Sequence, residues 1–278
     1  MGRISFYILL IIITAFIFLC QTNEITAINS TDVIYQSTNI SKQESLTIPP
    51  QQSVKLSENK LLASVPPNLK ILTNPIYIDG DDEFHSQASM FSWPGDGSLE
   101  SPYLIGGYSF NGDPEGKKIT PIEIINVNLY FIVSNCVLNN SYKGILLRNL
   151  ANCQILNNII NNSQSGGIHS YWVNNSLISN NTIINTGSYI EENILLQNCK
   201  SNTISNNVIT KGMSDGIGVK SSPNNLVIDN VIYDIWDEWE PSWGIKIVFD
   251  SHNCVVVNNS IDNTKAGILT WSSKNIAL

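Results

Sequence analysis

Histidine is scarce in this chain of 278 residues: His85, His169 and His252 lie in distant segments, and none belongs to a His/Met/Cys cluster. That scarcity argues against a transition-metal centre. Cysteine is sparse too, with five copies, one of them (Cys20) inside an apolar leader. Bases are outnumbered, 15 against 23 acids for a net charge of −8, which speaks against nucleic acid and anionic membrane as partners. A nucleophile elbow, a phosphate loop and a zinc signature are all missing.

Long apolar runs are limited to one, Ile4 to Cys20, preceded by Arg3. At the extreme N-terminus this run reads as a secretory signal or marginal membrane anchor over residues 1–27, with Ala27 a candidate cleavage site. Phe18 and Leu19 are too bulky for a lipoprotein box. The membrane is a partner only through residues 4–20, if they are retained. Residues 28–66 are rich in Ser, Thr, Asn and Gln, too poor in large apolar side chains to fold, and read as a disordered linker.

What is present is a repeat. One asparagine recurs at Asn135, Asn158, Asn181, Asn207, Asn230 and Asn259, in steps of 23, 23, 26, 23 and 29 residues. Three residues before it stand Ile132, Ile155, Ile178, Ile204, Val227 and Val256; two after it stand Val137, Ile160, Ile183, Ile209, Ile232 and Ile261. A third column runs Ile145, Ile168, Ile194, Ile217, Ile245 and Ile268, mostly preceded by Gly. Three short β-branched strands per repeat, with no helical segment between them, fit one turn of a parallel β-coil rising ~4.8 Å per turn. A helical solenoid is excluded by the period-2 pattern, and a sandwich would need hairpin turns instead of identical columns. The expected class is therefore all-β, a single-stranded parallel β-helix over 121–278, with Asn at its corners.

The pattern in Asn180-Asn181-Thr182-Ile183-Ile184-Asn185 and in Gly144-Ile145-Leu146-Leu147 resembles right-handed parallel β-helix repeats. Such repeats occur in the pectin-lyase-like superfamily, NosD-type periplasmic proteins and secreted surface proteins of archaea. The resemblance implies a right-handed coil and an extracytoplasmic setting. It does not choose among lyases, hydrolases, binding modules and scaffolds, all of which use this fold. NosD-type proteins are described as copper-binding, and this sequence lacks a cluster that would do so.

Residues 67–120 carry Tyr77, Phe84, Phe91, Trp93, Tyr103, Tyr108 and Phe110 among many Gly and Pro, and read as an irregular N-terminal cap with a first coil. Asp79-Gly80-Asp81-Asp82-Glu83 lacks EF-hand spacing and reads as a solvated turn. At the other end Asn275 aligns with Asn224, so a further coil begins without a cap, as expected of a fragment of a longer protein. Cys153 and Cys254 share a column but lie four rises apart, about 19 Å, beyond bridging reach, so free thiols in the core are expected. Sequons stand at Asn29, Asn39, Asn139, Asn161, Asn174, Asn180 and Asn258, those of the linker being the best acceptors.

The two long repeats grow at one turn: Ile183 to Ile194 spans 11 residues and Ile232 to Ile245 spans 13. Their insertions, Ser188-Tyr189-Ile190-Glu191-Glu192 and Asp234 through Trp243, flank the short turn that carries Asp215. Solenoid insertions gather on the binding face. The column two before the third-strand Ile reads Lys143, Gly166, Glu192, Asp215, Trp243 and Ala266, making Glu192 and Asp215 vertical neighbours. Two carboxylates that close share a proton or hold a cation, so Ca²⁺ at Glu192 and Asp215 is a candidate. With Tyr189, Trp236, Trp239 and Trp243 they form a predicted acidic and aromatic groove, floored by Asp215, suited to sugar rings.

Ser214-Asp215-Gly216-Ile217 is similar to the N-T-D-G-I-D signature of polygalacturonase-type hydrolases, but Met213 replaces its Asn and Gly218 its second Asp. Neither the following Asp pair nor the Gly-His-Gly motif is present. Only Asp215 carries over, with Glu192 as the candidate second carboxylate. A lyase would need a base beside a metal, and Lys220 and Lys246 stand outside the Glu192–Asp215 column. The sequence favours an exported surface module binding an oligosaccharide or matrix glycan, against a polysaccharide hydrolase or lyase, or a ligand-free scaffold.

Overall fold

The structure is a computed structural model describing residues 26–28, 66, 68–112, 118–187, 191–236 and 242–278. Nearly all of the leader and of the linker, with the acceptors Asn29 and Asn39, lie outside the described residues. From Lys70 onward the strands build three sheets wound as a coil, each pairing parallel with the strand one turn away. One complete turn runs Cys153–Leu156, Ile159–Asn161 and Ile168–Asn174. The first sheet collects the strands of the third Ile column, including Ile145–Ala151, Ile168–Asn174, Ile194–Gln197, Ile217–Lys220 and Trp243–Val248.

The isoleucine columns face inward. Ile168 pairs with Ile145 below and Ile194 above, Ile155 with Ile178, and Ile178 with Ile204, and all of these are buried. Stacking identical β-branched side chains fills the bore, which supplies most of the apolar burial. The glycine before the third column has a packing reason. A Cβ on Gly144 would meet Ile160 Cγ2 at 2.5 Å and Gly167 O at 2.6 Å, so the chain closes over the neighbouring Ile only if bare.

At the asparagine corner the structure divides between two residues the work expected of one. Asn157, Asn180 and Asn206 adopt left-handed backbone, φ 55°, 57° and 55°, and face solvent. The next residue, Asn158, Asn181, Asn207 or Asn230, is buried in a ladder. Asn158 donates its backbone N–H and its Nδ2 to Asn181 Oδ1, both at 3.0 Å, and Asn181 repeats this to Asn207. The first coil is one residue out of the expected register. Cys136 occupies the ladder position, donating its backbone N–H to Asn158 Oδ1, while Asn135 is the left-handed residue. The inward pair there is therefore Val133 and Leu138, not Ile132 and Val137. A slip of one exchanges the two faces of a strand, and the fully buried Val133 and Leu138 fix it.

The cap differs from the expected irregular segment in one respect. Helix α1, Asp81–Phe91, starts where a solvated acidic turn was expected, and Asp81, Asp82 and Glu83 form its first turn, where the helix dipole favours negative charge. Its Phe84 is buried against Trp93, Tyr103 and Phe131, sealing the first coil. Cys136, Cys153, Cys199 and Cys254 are buried free thiols. Burial pushes the Cys153 thiol up to about 12, so it is an inert core group. At the far edge Thr26–Ile28 pairs antiparallel with Ala266–Trp271.

Candidate functional site

The turn entering the first sheet carries a network of three lysines and three carboxylates. Asp215, 2% exposed, accepts the backbone N–H of Trp243 through Oδ1 and the Lys246 ammonium through Oδ2, both at 2.9 Å. Glu192, 1% exposed, meets Lys220 Nζ at 2.5 Å through Oε1. Its Oε2 is buried and, among the described residues, has no hydrogen-bond partner. Burial pushes the Glu192 carboxyl above its usual range, Lys220 works against that shift, and Asp215 adds to it.

Two coils lower, buried Lys143 reaches up to Glu191 Oε2, which Ser165 also contacts. Lys143 Nζ further touches Ser165 Oγ at 3.0 Å and His169 Nδ1 at 3.1 Å. His169 Nε2 lies 2.8 Å from the carbonyl oxygen of Glu192. A carbonyl only accepts, so Nε2 carries the proton and Nδ1 accepts from the lysine. Burial, then the Lys143 charge, lower the His169 pKa to about 4. Burial also raises Glu191, but its bonds from Lys143 and Ser165 outweigh this and hold its carboxyl below the usual range.

This arrangement corrects the expected floor of bare acid. Glu192 and Asp215 are vertical neighbours, linked through Asn193 N–H to Asp215 O at 3.0 Å, but both are buried and not exposed as a bare acidic floor. Each is buried beneath a lysine, because a desolvated carboxylate needs a counter-charge and hydrogen bonds to stay ionised. The pair does not fit Ca²⁺, which takes six to eight oxygens, since two ammonium groups stand at those oxygens already. Among the described residues no group of three or more His, Cys, Asp or Glu side chains converges on a common point.

Of the aromatic candidates, Trp236 is 62% exposed, with Lys265 Nζ 5.2 Å above its ring, and its backbone N–H bonds Gly212 O. Trp243 is half-buried at the start of its strand. Tyr189 and Trp239 lie outside the described residues. Two concavities sit by the cap, one of about 450 Å³ lined by Leu69, Trp93, Leu104 and Tyr108. Lys143, Ser165, His169, Glu191 and Asn193 belong to the network but are not among the site residues expected from the sequence. Lys143 could have been: it heads the column of Glu192 and Asp215, and a lysine amid acids signals a pair. Asn193 takes the place of the column glycine and braces the long turn, donating Nδ2 to Asp215 O at 2.9 Å.

Three parallel sheets wound from one short strand apiece per turn define a single-stranded β-solenoid. The family model described as "Right handed beta helix region" matches residues 122–261, half of the chain. The chain belongs to that family. Among solved structures it is similar to the Azotobacter vinelandii mannuronan C-5 epimerase A-module, at 8% identity and a TM-score of 0.35, over 63% of this chain and 74% of that one. No curated protein matches. No helix among the described residues is long and apolar enough to cross a membrane.

Proposed function

We propose that this chain is an extracytoplasmic β-helix module that holds a carbohydrate at the turn entering the first sheet, without transforming it. The observation that carries the reading is Trp236, 62% exposed on the longest insertion, whose far end, Trp243, donates its backbone N–H to the lysine-matched Asp215. An aromatic face offered to solvent next to neutralised, hydrogen-bonding side chains suits the apolar face and the hydroxyls of a sugar ring. Lysines match the three carboxylates of the network, but the insertion adds Asp234, Asp237, Glu238 and Glu240, so the turn is acidic and suits a neutral or cationic glycan better than an acidic one.

A hydrolytic reading draws on Glu192, whose raised pKa and unpartnered Oε2 are the properties of a general acid. Its burial and its ion pair with Lys220 weigh for the binding reading. A glycan array with calorimetry, run with Ca²⁺ and with chelator, separates the two. Binding lost in Trp236→Ala, with no release of reducing ends, supports the binding module. Turnover abolished in Glu192→Gln supports the enzyme. N-terminal sequencing of the mature protein tests export and processing near Ala27.

A further inference from the structure

The corner leaving the first sheet carries an anomaly that packing does not explain. Its column runs Asn126, Asn149, Trp172, Asn198, Ser221, Phe249 and Ser272, all with left-handed backbone at φ between 49° and 56°. Asparagine and serine tolerate that conformation, whereas bulky side chains are outliers in it. Trp172 has φ 54° and Phe249 φ 56°, yet they are 52% and 45% exposed, so burial does not offset the strain. Trp172 also ends an amide ladder. Asn126 Nδ2 bonds Asp79 Oδ1 at 2.7 Å and Asn149 Nδ2 bonds Asn126 Oδ1 at 2.8 Å, and an indole in the next rung has no amide to continue it. Isolated exposed aromatics are ordinary. Two in one column, each on backbone that resists them, are not.

Each is one half of an aromatic pair on the sheet's outer edge. Tyr171 adjoins Trp172, ring centroids 6.4 Å apart, with Arg148 over the tyrosine at 5.5 Å; Trp271 meets Phe249 edge-on at 5.3 Å. Register places Gln197, Lys220 and buried Val248 between Tyr171 and Trp271 on the strand column, with Asn198 and Ser221 between Trp172 and Phe249 on the corner column. Trp172 and Phe249 are three rises apart, about 14 Å at the ~4.8 Å spacing of strands.

We propose that this strip is a second carbohydrate site, in which a linear oligosaccharide runs parallel to the coil axis and stacks on Trp172 and Phe249. The side chains of Gln197, Asn198 and Ser221 bond the hydroxyls between. A polar stretch bounded by two flat apolar faces at a fixed interval matches a polymer of regular rings better than the continuous apolar face of a peptide helix. It rests on the reading of the protein as a carbohydrate binder, but it uses the opposite end of the strands from the Trp236 turn.

Strain predicts a signature that a structural role does not give. Trp172→Asn restores the residue type of the column, so it should raise Tm while weakening ligand binding. The test is a thermal melt and calorimetry with cellobiose, cellohexaose and mannohexaose on the full chain, its Trp172→Asn and Phe249→Asn variants, and Trp236→Ala. A hexasaccharide should bind more tightly than the disaccharide, and each corner variant should weaken it about tenfold, as loss of one ring's stacking implies. A lower Tm in Trp172→Asn, or unchanged hexasaccharide affinity in both corner variants, overturns the proposal. Loss confined to Trp236→Ala does so too but spares the turn site. A wild type that binds none of the probes sinks both.

Discussion

Lys220 Nζ reaches Glu192 Oε1 at 2.5 Å across the bare backbone of Gly218. A Cβ on Gly218 would stand 2.6 Å from Glu192 Cγ and 2.8 Å from its Cδ, so this glycine is the space in which the ion pair lies. Gly218→Ala should displace the carboxylate and cost about 1–3 kcal/mol, typical of overpacking at a filled site. An unchanged urea midpoint would show that Glu192 can lie elsewhere at no cost.

The raised pKa of Glu192 has a sign that can be read in stability. A carboxyl easier to protonate when folded contributes stability that is complete below its unfolded pKa and is lost as pH rises through the folded one. Glu191, held low, acts oppositely and loses its contribution as pH falls. The difference between wild type and Glu192→Gln isolates the first effect. Relative to wild type, Glu192→Gln should gain Tm at neutral pH, and the gain should shrink in acid as wild-type Glu192 protonates. Lys220 is 22% exposed, so water can solvate it in the variant. A difference that grows on acidification contradicts the assignment.

The solenoid was legible because its core is periodic: Ile155, Ile178 and Ile204 recur in columns that no other fold requires. The register of the first coil was not. Cys136 stands where later coils place the ladder asparagine, so Asn135 beside it attracts the alignment, and only the burial of Val133 and Leu138 decides. Helix α1 was hidden because its Asp81-Asp82-Glu83 start looks the same as a polar turn until Phe84 is seen packed. The site was half legible. Columns gave Asp215 above Glu192, but side-chain reach from Lys220 and Lys246, on the strands beyond, turned two bare acids into two ion pairs.

Adjacent asparagines at the corner should respond differently to the same substitution. Asn181→Ala removes the Oδ1 that accepts both the N–H and the Nδ2 of buried Asn158, at a cost of roughly 2–4 kcal/mol for orphaned buried donors. Asn180→Ala keeps the ladder and meets only the left-handed backbone at φ 57°, costing about 1 kcal/mol, and Asn180→Gly should cost less. Equal losses at 180 and 181 in chemical denaturation would reject the division of work between the two positions.

His169 gives the sharpest check on the network. It is fully buried, donates Nε2–H to Glu192 O at 2.8 Å, and receives Lys143 at Nδ1, 3.1 Å away. Protonating Nδ1 would set two donors against each other in a buried site, and burial followed by the lysine charge brings its pKa to about 4. A histidine harder to protonate when folded contributes stability above its unfolded pKa, near ~6.5, that is lost as pH falls through the folded value. Imidazole nitrogen NMR should therefore find the Nε2–H tautomer unchanged from about pH 8 down to about pH 5, well below the ~6.5 midpoint of a free histidine. Lys143→Met removes the competing donor and one source of the depression, so the midpoint should move up. A midpoint near that of free histidine in the wild type would mean that Lys143 does not face Nδ1, and the lysine–glutamate–histidine cluster would lose its centre.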